Sequence, residues 1–387
     1  MRELWAGGGL SMQRISFSFL IAATLALAGC QTSNKPPAPT AQIVIGMAGP
    51  MTGDLAQFGT QLKRGAEKAV ADINAAGGVL GKQLKLEEVD DKCDPKLAPD
   101  AAHDLVSRGV VFVDGHFCSG SSIPASSIYH EAGILQITPA SSNPRLTDQA
   151  ADWGTVFRVC GRDDFQGSFA GEWLAEHYQG KRVALVDDKS PYGAGIAQMA
   201  KTAMNGGGLR EVLHESITAG QQDFSGLVAK LRAAKVDVIY FGGYHPEAAL
   251  IVRAMRAAGI RAPLLGADAL RTEEFATLAG DAGNGVMFTS EGDARKQPEA
   301  VQVVDELRKA GFEPEGYTLY SYAAVQVWAQ AATHAGTTET AKVAETLRGS
   351  YWNTVIGPLS FDAKGDVAQQ LYVWYAFHHG QYDVARM

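Results

Sequence analysis

A strand, a helix and a second strand follow one another in residues 43–89, which read IVIGMAGPMTGDLAQFGTQLKRGAEKAVADINAAGGVLGKQLKLEEV. The short apolar run IVIGM at 43–47 predicts a buried strand. Between 59 and 75 apolar residues recur at helical spacing, from Leu62 to Ile73, and Gly77-Gly78 ends this helix. LKLEEV at 84–89 predicts the next strand. The stretch is therefore a βαβ unit, in which a helix connects two parallel strands.

The same alternation continues along the chain and forms two series. The predicted strands are 43–47, 84–89, 110–113 and 134–137 in the first series, and 156–159, 182–186, 211–213, 236–241, 263–265 and 285–288 in the second. The predicted helices are 59–75, 99–108 and 121–131, then 164–178, 195–204, 224–233 and 247–258. Helices at 299–310, 319–333 and 340–348 and strand-like runs at 357–361 and 372–377 close the chain. This order predicts an α/β protein with two doubly wound parallel sheets, and the helical tail indicates a return to an earlier domain.

Composition narrows the possible functions. The 387 residues are 46% hydrophobic and 20% charged, as in an ordinary globular protein, and the formal net charge is −8. An acidic chain without a basic stripe argues against sequence-independent nucleic-acid binding.

The N-terminus has the pattern of an export signal. Arg14 precedes a short apolar run that ends in small residues, and no second hydrophobic segment follows. Leu-Ala-Gly-Cys at 27–30 resembles a bacterial lipobox, which implies removal of residues 1–29 and lipidation of Cys30. The alternative is an ordinary signal peptide with a chance cysteine, and Met12 is a possible true start. Residues 30–41 form a Pro-rich linker.

Three further cysteines, Cys93, Cys118 and Cys160, leave the pairing open. In an exported protein two of them can form a disulfide, but their spacing does not decide which. His116 beside Cys118 raises the alternative of a thiol hydrolase, which needs a reduced, low-pKa thiol. A disulfide is the favoured interpretation, and no Gly-x-Ser-x-Gly, His-Glu-x-x-His or phosphate-loop motif occurs.

Acidic residues at 90, 91 and 94 could suggest calcium, but they lack the glycine and the distal glutamate of a calcium loop. A solvated turn is the favoured interpretation, and we predict neither a metal nor a cofactor.

Polar and aromatic residues follow several predicted strands. Serines occupy the loops that contain Ser119 and Ser142, and Tyr192, Tyr244 and Asp268 follow strands of the second series. In open α/β sheets ligands bind at the carboxyl ends of strands, where helix N-termini favour an anion. The serine loops could hold a carboxylate and Asp268 an ammonium. Helix capping by serine and ordinary surface loops are the alternatives.

Several motifs together resemble the periplasmic binding proteins of ABC importers for leucine, isoleucine and valine. They are PMTG at 50–53, AVADIN at 69–74 followed by Gly77-Gly78, DDKCDP at 90–95, GHFCS at 115–119, ITPA at 137–140, Asp163 with Gln166-Gly167, GGYHPE at 242–247 and GPLSFD at 357–362. The resemblance covers residues 43 to 377 and implies a non-enzymatic protein whose two lobes close on one amino acid.

The resemblance also implies roles for individual residues. It implies a Cys93–Cys118 disulfide. It assigns the ligand carboxylate to Ser119 and Ser142, and the ammonium to the carbonyl of Ala140 and to Asp268. Phe58 and Tyr322 would flank the ligand side chain, and Asp163, Tyr192 and Tyr244 would contribute from the other lobe. Two positions depart from the family pattern: Asp268 stands where glutamate is typical, and Phe58 where tyrosine or tryptophan is usual.

We therefore expect a type I periplasmic binding fold, with lobe I at 42–162 plus 292–370, lobe II at 163–291 plus 371–387, and a hinge between them. The implied protein is a lipid-anchored periplasmic monomer that delivers a branched-chain or related amino acid to an inner-membrane ABC permease. The alternatives are the same fold binding an amide or another amino acid, or a ligand sensor that docks on a receptor.

Overall fold

The computed structural model describes residues 42–386, which contain two main sheets and a small hairpin. The strands are β1 Ile43–Gly49, β2 Leu84–Asp90, β3 Phe112–Gly115, β4 Leu135–Thr138, β5 Val156–Arg158, β6 Val183–Asp187, β7 Glu211–Ser216, β8 Val238–Gly242, β9 Leu264–Gly266, β10 Met287–Glu291, β11 Trp352–Thr354, β12 Gly357–Leu359, β13 Tyr372–His378 and β14 Gln381–Val384. The α-helices are α1 Ala56–Ala75, α2 Ala98–Ser107, α3 Ser119–Glu131, α4 Arg145–Gln149, α5 Asp163–His177, α6 Pro191–Gly206, α7 Ser225–Ala233, α8 His245–Ala257, α9 Glu273–Ala279, α10 Val301–Lys309, α11 Thr318–Ala335 and α12 Thr340–Arg348.

The first sheet has five parallel strands in the order β2-β1-β3-β4-β5. Strand β1, which lies between β2 and β3, is buried along nearly its whole length, as expected for a parallel strand covered on both faces. Helix α1 buries Phe58, Leu62, Ala66 and Ala69. The helix approaches α11 so closely that a Cβ at Gly65 would lie 2.1 Å from the Thr318 carbonyl oxygen, which explains the need for glycine there.

The second sheet has seven strands in the order β14-β13-β10-β9-β8-β6-β7. Strands β6 to β10 pair in parallel, whereas β13 joins β10 and β14 in antiparallel fashion. We call the layers around the five-stranded sheet the first lobe and those around the seven-stranded sheet the second lobe.

The helical tail packs on the first lobe. Helix α11 lies against α1, and the ring of Trp328 stacks on that of Phe112 with the ring centroids 4.9 Å apart. These contacts form one large apolar core between the first sheet and the helices α1 and α11.

The chain passes between the lobes three times, before α5, after β10 and before β13. Side chains tie these crossings together. The Gly161 amide donates to Glu291 (2.8 Å), the Arg162 amide to Gln370 (2.7 Å), and the Tyr372 hydroxyl to the Arg162 carbonyl (3.2 Å). Three adjacent crossings form a hinge, since a rigid-body rotation there moves one lobe against the other.

The structure confirms the α/β class, but the strand predicted at 156–159 as the first of the second series is β5 of the first sheet, because it pairs with β4. Several predicted boundaries also shift. Helix α6 begins at Pro191, not at 195, because the Ser190 hydroxyl accepts a hydrogen bond from the Gly193 amide (2.8 Å) and proline fits the first turn. The sequence did not predict the strands β11 and β14 or the helices α4 and α9. Strand β14 reads QYDV and has no apolar run; it forms because β13 supplies a partner. Within 42–386 no helix is long and apolar enough to cross a membrane.

Candidate functional site

Loops from both lobes meet at one small void, which we call the interlobe site. It is lined by Phe117, Ser119, Ala140, Tyr192, Tyr244, Asp268, Ala269 and Tyr317. The loops follow β3 and β4 in the first lobe and β6, β8 and β9 in the second. The carboxyl ends of parallel strands thus face each other across the hinge, as open α/β sheets arrange their ligand sites.

The first-lobe wall begins at a disulfide between Cys93 and Cys118, whose Cα atoms lie 5.4 Å apart. This is the pairing that the family resemblance implied. Cys118 immediately precedes α3, so the bridge fixes the start of that helix. Ser119 opens the helix, and its Oγ accepts a hydrogen bond from the Asn143 amide (3.2 Å), which joins the two serine loops.

Ser142 and Asp163 lie side by side, since the Asp163 amide donates to the Ser142 carbonyl (2.9 Å). Both residues are buried. Within the described part of the chain, the Ser142 hydroxyl and the Asp163 carboxylate have no hydrogen-bond partner apart from each other, and the hydroxyl acts to lower the pKa of that carboxylate. Burial raises the pKa of Asp163 well above its usual range, and the charge of Asp268 adds to this effect.

Asp268 provides a second buried carboxylate, only 3% exposed. It accepts hydrogen bonds from the hydroxyls of Tyr192 (2.8 Å) and Tyr317 (2.5 Å). Burial raises the pKa of Asp268, with a further contribution from the charge of Glu291, while the two tyrosine hydroxyls act in the opposite direction. The charge of Arg271 also lowers the pKa of Asp268. Two buried carboxylates, one of which raises the pKa of the other, mark a place where a positive charge would be stabilised.

Aromatic rings form the rest of the wall. Phe58 stacks on Phe117 with ring centroids 4.3 Å apart and meets Tyr317 edge-on at 5.8 Å. Tyr192 and Tyr244 pack against each other at 5.2 Å. The site therefore combines a polar end with an apolar, ring-lined end.

Tyr322 lies outside this cluster. Its hydroxyl donates to Asp72 on α1 (2.9 Å), and the ring packs inside the first-lobe core. Tyr317, directly before α11, lines the void instead. Five of the other predicted ligand residues line the void: Ser119, Ala140, Tyr192, Tyr244 and Asp268. Phe58 packs against its rings, and Asp163, with Ser142 beside it, lies close enough to Asp268 for the two charges to interact.

Sequence reasoning missed Tyr317, Phe117 and Ala269 as lining residues. Phe117 and Ala269 stand next to the predicted Cys118 and Asp268, so adjacency was an available signal. For Tyr317 the only available signal in the sequence was its position at the start of a predicted helix.

The residues considered for other chemistry have structural partners. Cys118 is in the disulfide, and the buried His116 ring lies 2.5 Å from an Asp91 oxygen and 2.9 Å from the Tyr129 hydroxyl. The Asp90 and Asp91 carboxylates accept backbone amide hydrogen bonds within the turn, from Lys92 (2.9 Å) and Cys93 (2.8 Å). No cluster of three metal-binding side chains occurs in residues 42–386.

The interlobe site measures about 10 Å³, which is roughly the room that one water needs. A separate cavity of about 430 Å³ lies at its outer edge, lined by loops of both lobes and sharing Tyr244. An amino acid therefore fits in the void only after the lobes separate or the rings rotate.

Comparison with known proteins agrees with this geometry. The model of the periplasmic binding protein family matches residues 42–378, so the chain belongs to that family. The resemblance inferred from sequence is thereby confirmed.

Individual relatives narrow the class. An amino acid binding protein of Pseudomonas aeruginosa is 46% identical over 354 residues, covering 91% of this chain and 94% of the relative. Leu/Ile/Val-binding protein homolog 1 of Brucella melitensis is 44% identical over 88% of this chain and 91% of its own length.

Solved structures show the same fold. The leucine-binding protein LivK of Thermotoga maritima aligns with a TM-score of 0.82 at 27% identity, covering 89% of this chain and 98% of that one. LivJ of Streptococcus pneumoniae, solved with isoleucine, gives 0.80 at 27% identity and the same coverage. The fold is that of type I periplasmic binding proteins, as predicted.

Proposed function

We propose that this protein captures a branched-chain or related α-amino acid in the interlobe site and delivers it to an ABC permease of the inner membrane. One observation carries the proposal: two buried carboxylates and a buried serine hydroxyl lie beside a wall of aromatic rings. Such a site has polar ends for a zwitterion and an apolar face for a side chain. The named ligands of the Brucella relative and of LivJ belong to this class.

The ligand carboxylate lies between Ser119 and Ser142 in this proposal. Serine hydroxyls and the free amides at the start of α3 donate hydrogen bonds to an anion. The ligand ammonium lies between Asp268 and the Ala140 carbonyl, and Asp163 adds negative charge nearby. A buried zwitterion needs both of its charges compensated, and these groups do so from opposite sides.

Closure of the lobes is the mechanism of capture. The Tyr317 hydroxyl from the first lobe reaches Asp268 of the second, so the site is complete only when the lobes meet. Beside it, Glu315 accepts hydrogen bonds from the Glu273 amide (2.9 Å) and the Thr272 hydroxyl (3.0 Å). A ligand that contacts both lobes stabilises the closed form and shifts the population towards it.

We assign residues 42–162 and 292–370 to lobe I and residues 163–291 and 371–387 to lobe II. The strand order of the two sheets and the packing of α11 on α1 support this division.

Export and anchoring complete the proposal. Residues 1–29 act as a signal and Cys30 carries a lipid, so the monomer works in the periplasm at a membrane surface, tethered by the 30–41 linker. These residues lie outside the described part of the chain. Replacing Cys30 with serine releases the protein into the soluble periplasmic fraction; if the variant stays in the membrane fraction, the anchor assignment is wrong.

A ligand without an ammonium group, such as an amide, is the second candidate. The hydroxyls of Tyr192 and Tyr317 already donate to Asp268, so the closed site satisfies that carboxylate's oxygens by itself. Such a ligand would need only the serine loops and the aromatic wall.

Calorimetric titration of the unlipidated chain with each of the twenty amino acids and with aliphatic amides tests the two candidates. We expect heat of binding with leucine, isoleucine or valine, and a raised thermal midpoint in their presence. Discrimination among the three should be weak, since one methylene is worth about 1–3 kcal/mol. Heat with amides alone supports the second candidate, and no response to any α-amino acid overturns the first.

A further inference from the structure

A buried ionic cluster sits behind the serine loop that faces the interlobe site. Arg158 on β5 donates from Nε to Asp366 (2.5 Å), and Arg162 donates from Nη1 to the other oxygen of the same carboxylate (2.6 Å). The Thr147 hydroxyl accepts from both guanidinium groups (2.7 and 3.0 Å) and donates to Asp366 (3.0 Å). Arg158 is fully buried and Asp366 is 1% exposed.

This cluster fixes the backbone of the loop. Arg158 Nη1 donates to the Ser141 carbonyl (2.6 Å) and Nη2 to the Asn143 carbonyl (3.2 Å). The carbonyl of Ser142 between them accepts from the Asp163 amide (2.9 Å). Three consecutive carbonyls of the loop are thus held, two by Arg158 and one by the Asp163 amide, while the Ser142 hydroxyl has no partner among residues 42–386 apart from the Asp163 carboxylate.

The same cluster reaches the hinge. Arg162 directly precedes Asp163, its amide donates to Gln370 (2.7 Å), and its carbonyl accepts from the Tyr372 hydroxyl (3.2 Å). One carboxylate, Asp366, therefore connects the serine loop with two of the three crossings.

Local geometry explains how Asp366, more than 200 positions after β5 in the sequence, comes to contact Arg158. Gly365 accepts a hydrogen bond from the Arg158 amide (3.0 Å) and has a φ of +94°. A Cβ at that position would lie 2.1 Å from the Val156 carbonyl oxygen. Only glycine allows the turn to approach β5 so closely, and this approach delivers Asp366 to Arg158.

We infer that Arg158 and Asp366 are positioning residues for ligand binding: they preorganise the Ser141–Asn143 loop so that Ser142 meets the ligand carboxylate. This inference rests on the proposed function. Neither residue lines the void, so their effect passes through the loop. Fixing a loop before binding removes an ordering cost from the binding step. In metal sites, residues that orient the metal ligands change metal affinity by about 10- to 100-fold, and we expect an effect of similar size here.

The test compares Asp366→Asn and Thr147→Val with the control Asp148→Asn. Asp148 also contacts Arg162 (3.3 Å), but its side chain is 45% exposed and it does not touch Arg158. Thr147→Val keeps the shape and the charges of the cluster, so it remains informative if Asp366→Asn does not fold.

Titration with leucine, valine and alanine gives the first readout. We expect affinity for all three to fall about tenfold or more by the same factor, because the loop contacts the carboxylate that they share. Asp148→Asn should bind as the wild type does. A folded Asp366→Asn or Thr147→Val with wild-type affinity overturns the inference, as does a change in the leucine-to-valine ratio.

Hydrogen exchange in the ligand-free protein gives the second readout. The Asn143 and Asp163 amides, bonded to Ser119 Oγ and to the Ser142 carbonyl, should lose protection in both cluster variants while amides in β8 keep theirs. Unchanged protection overturns the inference. If the wild type binds no α-amino acid, the proposed function fails, and the exchange result still decides whether the cluster orders the loop.

Discussion

Replacing Asp268 with asparagine tests the charge pairing on which amino-acid capture depends. The substitution keeps the volume and an acceptor oxygen but removes the negative charge. In the wild type, that charge lies 3% exposed beneath the hydroxyls of Tyr192 and Tyr317. A bound ammonium would then be buried opposite a neutral amide.

The size of the effect follows from burial. Truncating one partner of a buried, hydrogen-bonded charge pair costs about 2–5 kcal/mol, largely because the other charge stays buried without compensation. This free energy corresponds to a loss of affinity of about 30-fold to several thousandfold. Because the nearby Asp163 carboxyl, whose pKa is raised in the free site, ionises more readily beside a bound ammonium, we expect the lower part of that range.

Calorimetry with leucine at neutral pH measures the loss, and Asp187→Asn is a matched control. Asp187 is also a buried carboxylate of the second lobe, 4% exposed, but it bonds to Ser216 (2.9 Å) and His214 (3.1 Å), away from the void. Affinity within threefold of the wild type for Asp268→Asn would refute the pairing. An equal loss in both variants would show a general effect of removing buried charge.

Three further predictions concern closure and stability. Glu315→Ala removes the acceptor for the Glu273 amide across the lobes, so leucine should dissociate about tenfold faster or more in stopped-flow displacement; an unchanged rate contradicts the closure contact. Replacing Cys93 and Cys118 together with serine should lower the free energy of unfolding by about 3 kcal/mol in urea titrations, and no change would mean that the bridge leaves the unfolded chain unconstrained. Burial raises the pKa of Asp188 to about 6. Above that pH the ionised carboxylate lowers the free energy of unfolding by about 3 kcal/mol, and this loss of stability disappears as the pH falls from 6 towards 4. Asp188→Asn should therefore be the more stable protein at pH 7.5 but not at pH 4.5, and parallel pH profiles for the two proteins would contradict this.

Local patterns in the sequence predicted the α/β class and most of the strands and helices, but not the sheet to which β5 belongs. Apolar runs such as IVIGM at 43–47 and the helical periodicity of α1 are set by backbone geometry over a few residues, and their alternation gives parallel sheets covered by helices. The short motifs around Ser119, Ala140 and Asp268 marked the loops that meet at the site, because ligand loops follow the carboxyl ends of strands.

Tertiary structure decided what depends on residues distant in sequence. Nothing local distinguishes Tyr317 from Tyr322; packing of α11 on α1 turns the second towards Asp72 and leaves the first at the void. The same holds for Arg158 and Asp366, which are 208 positions apart and meet only because a glycine turn lies against β5. Periodicity is a property of the local backbone, so a short segment of sequence reveals it. The partners of buried charges depend on how the layers pack, and no single segment of the chain determines that packing.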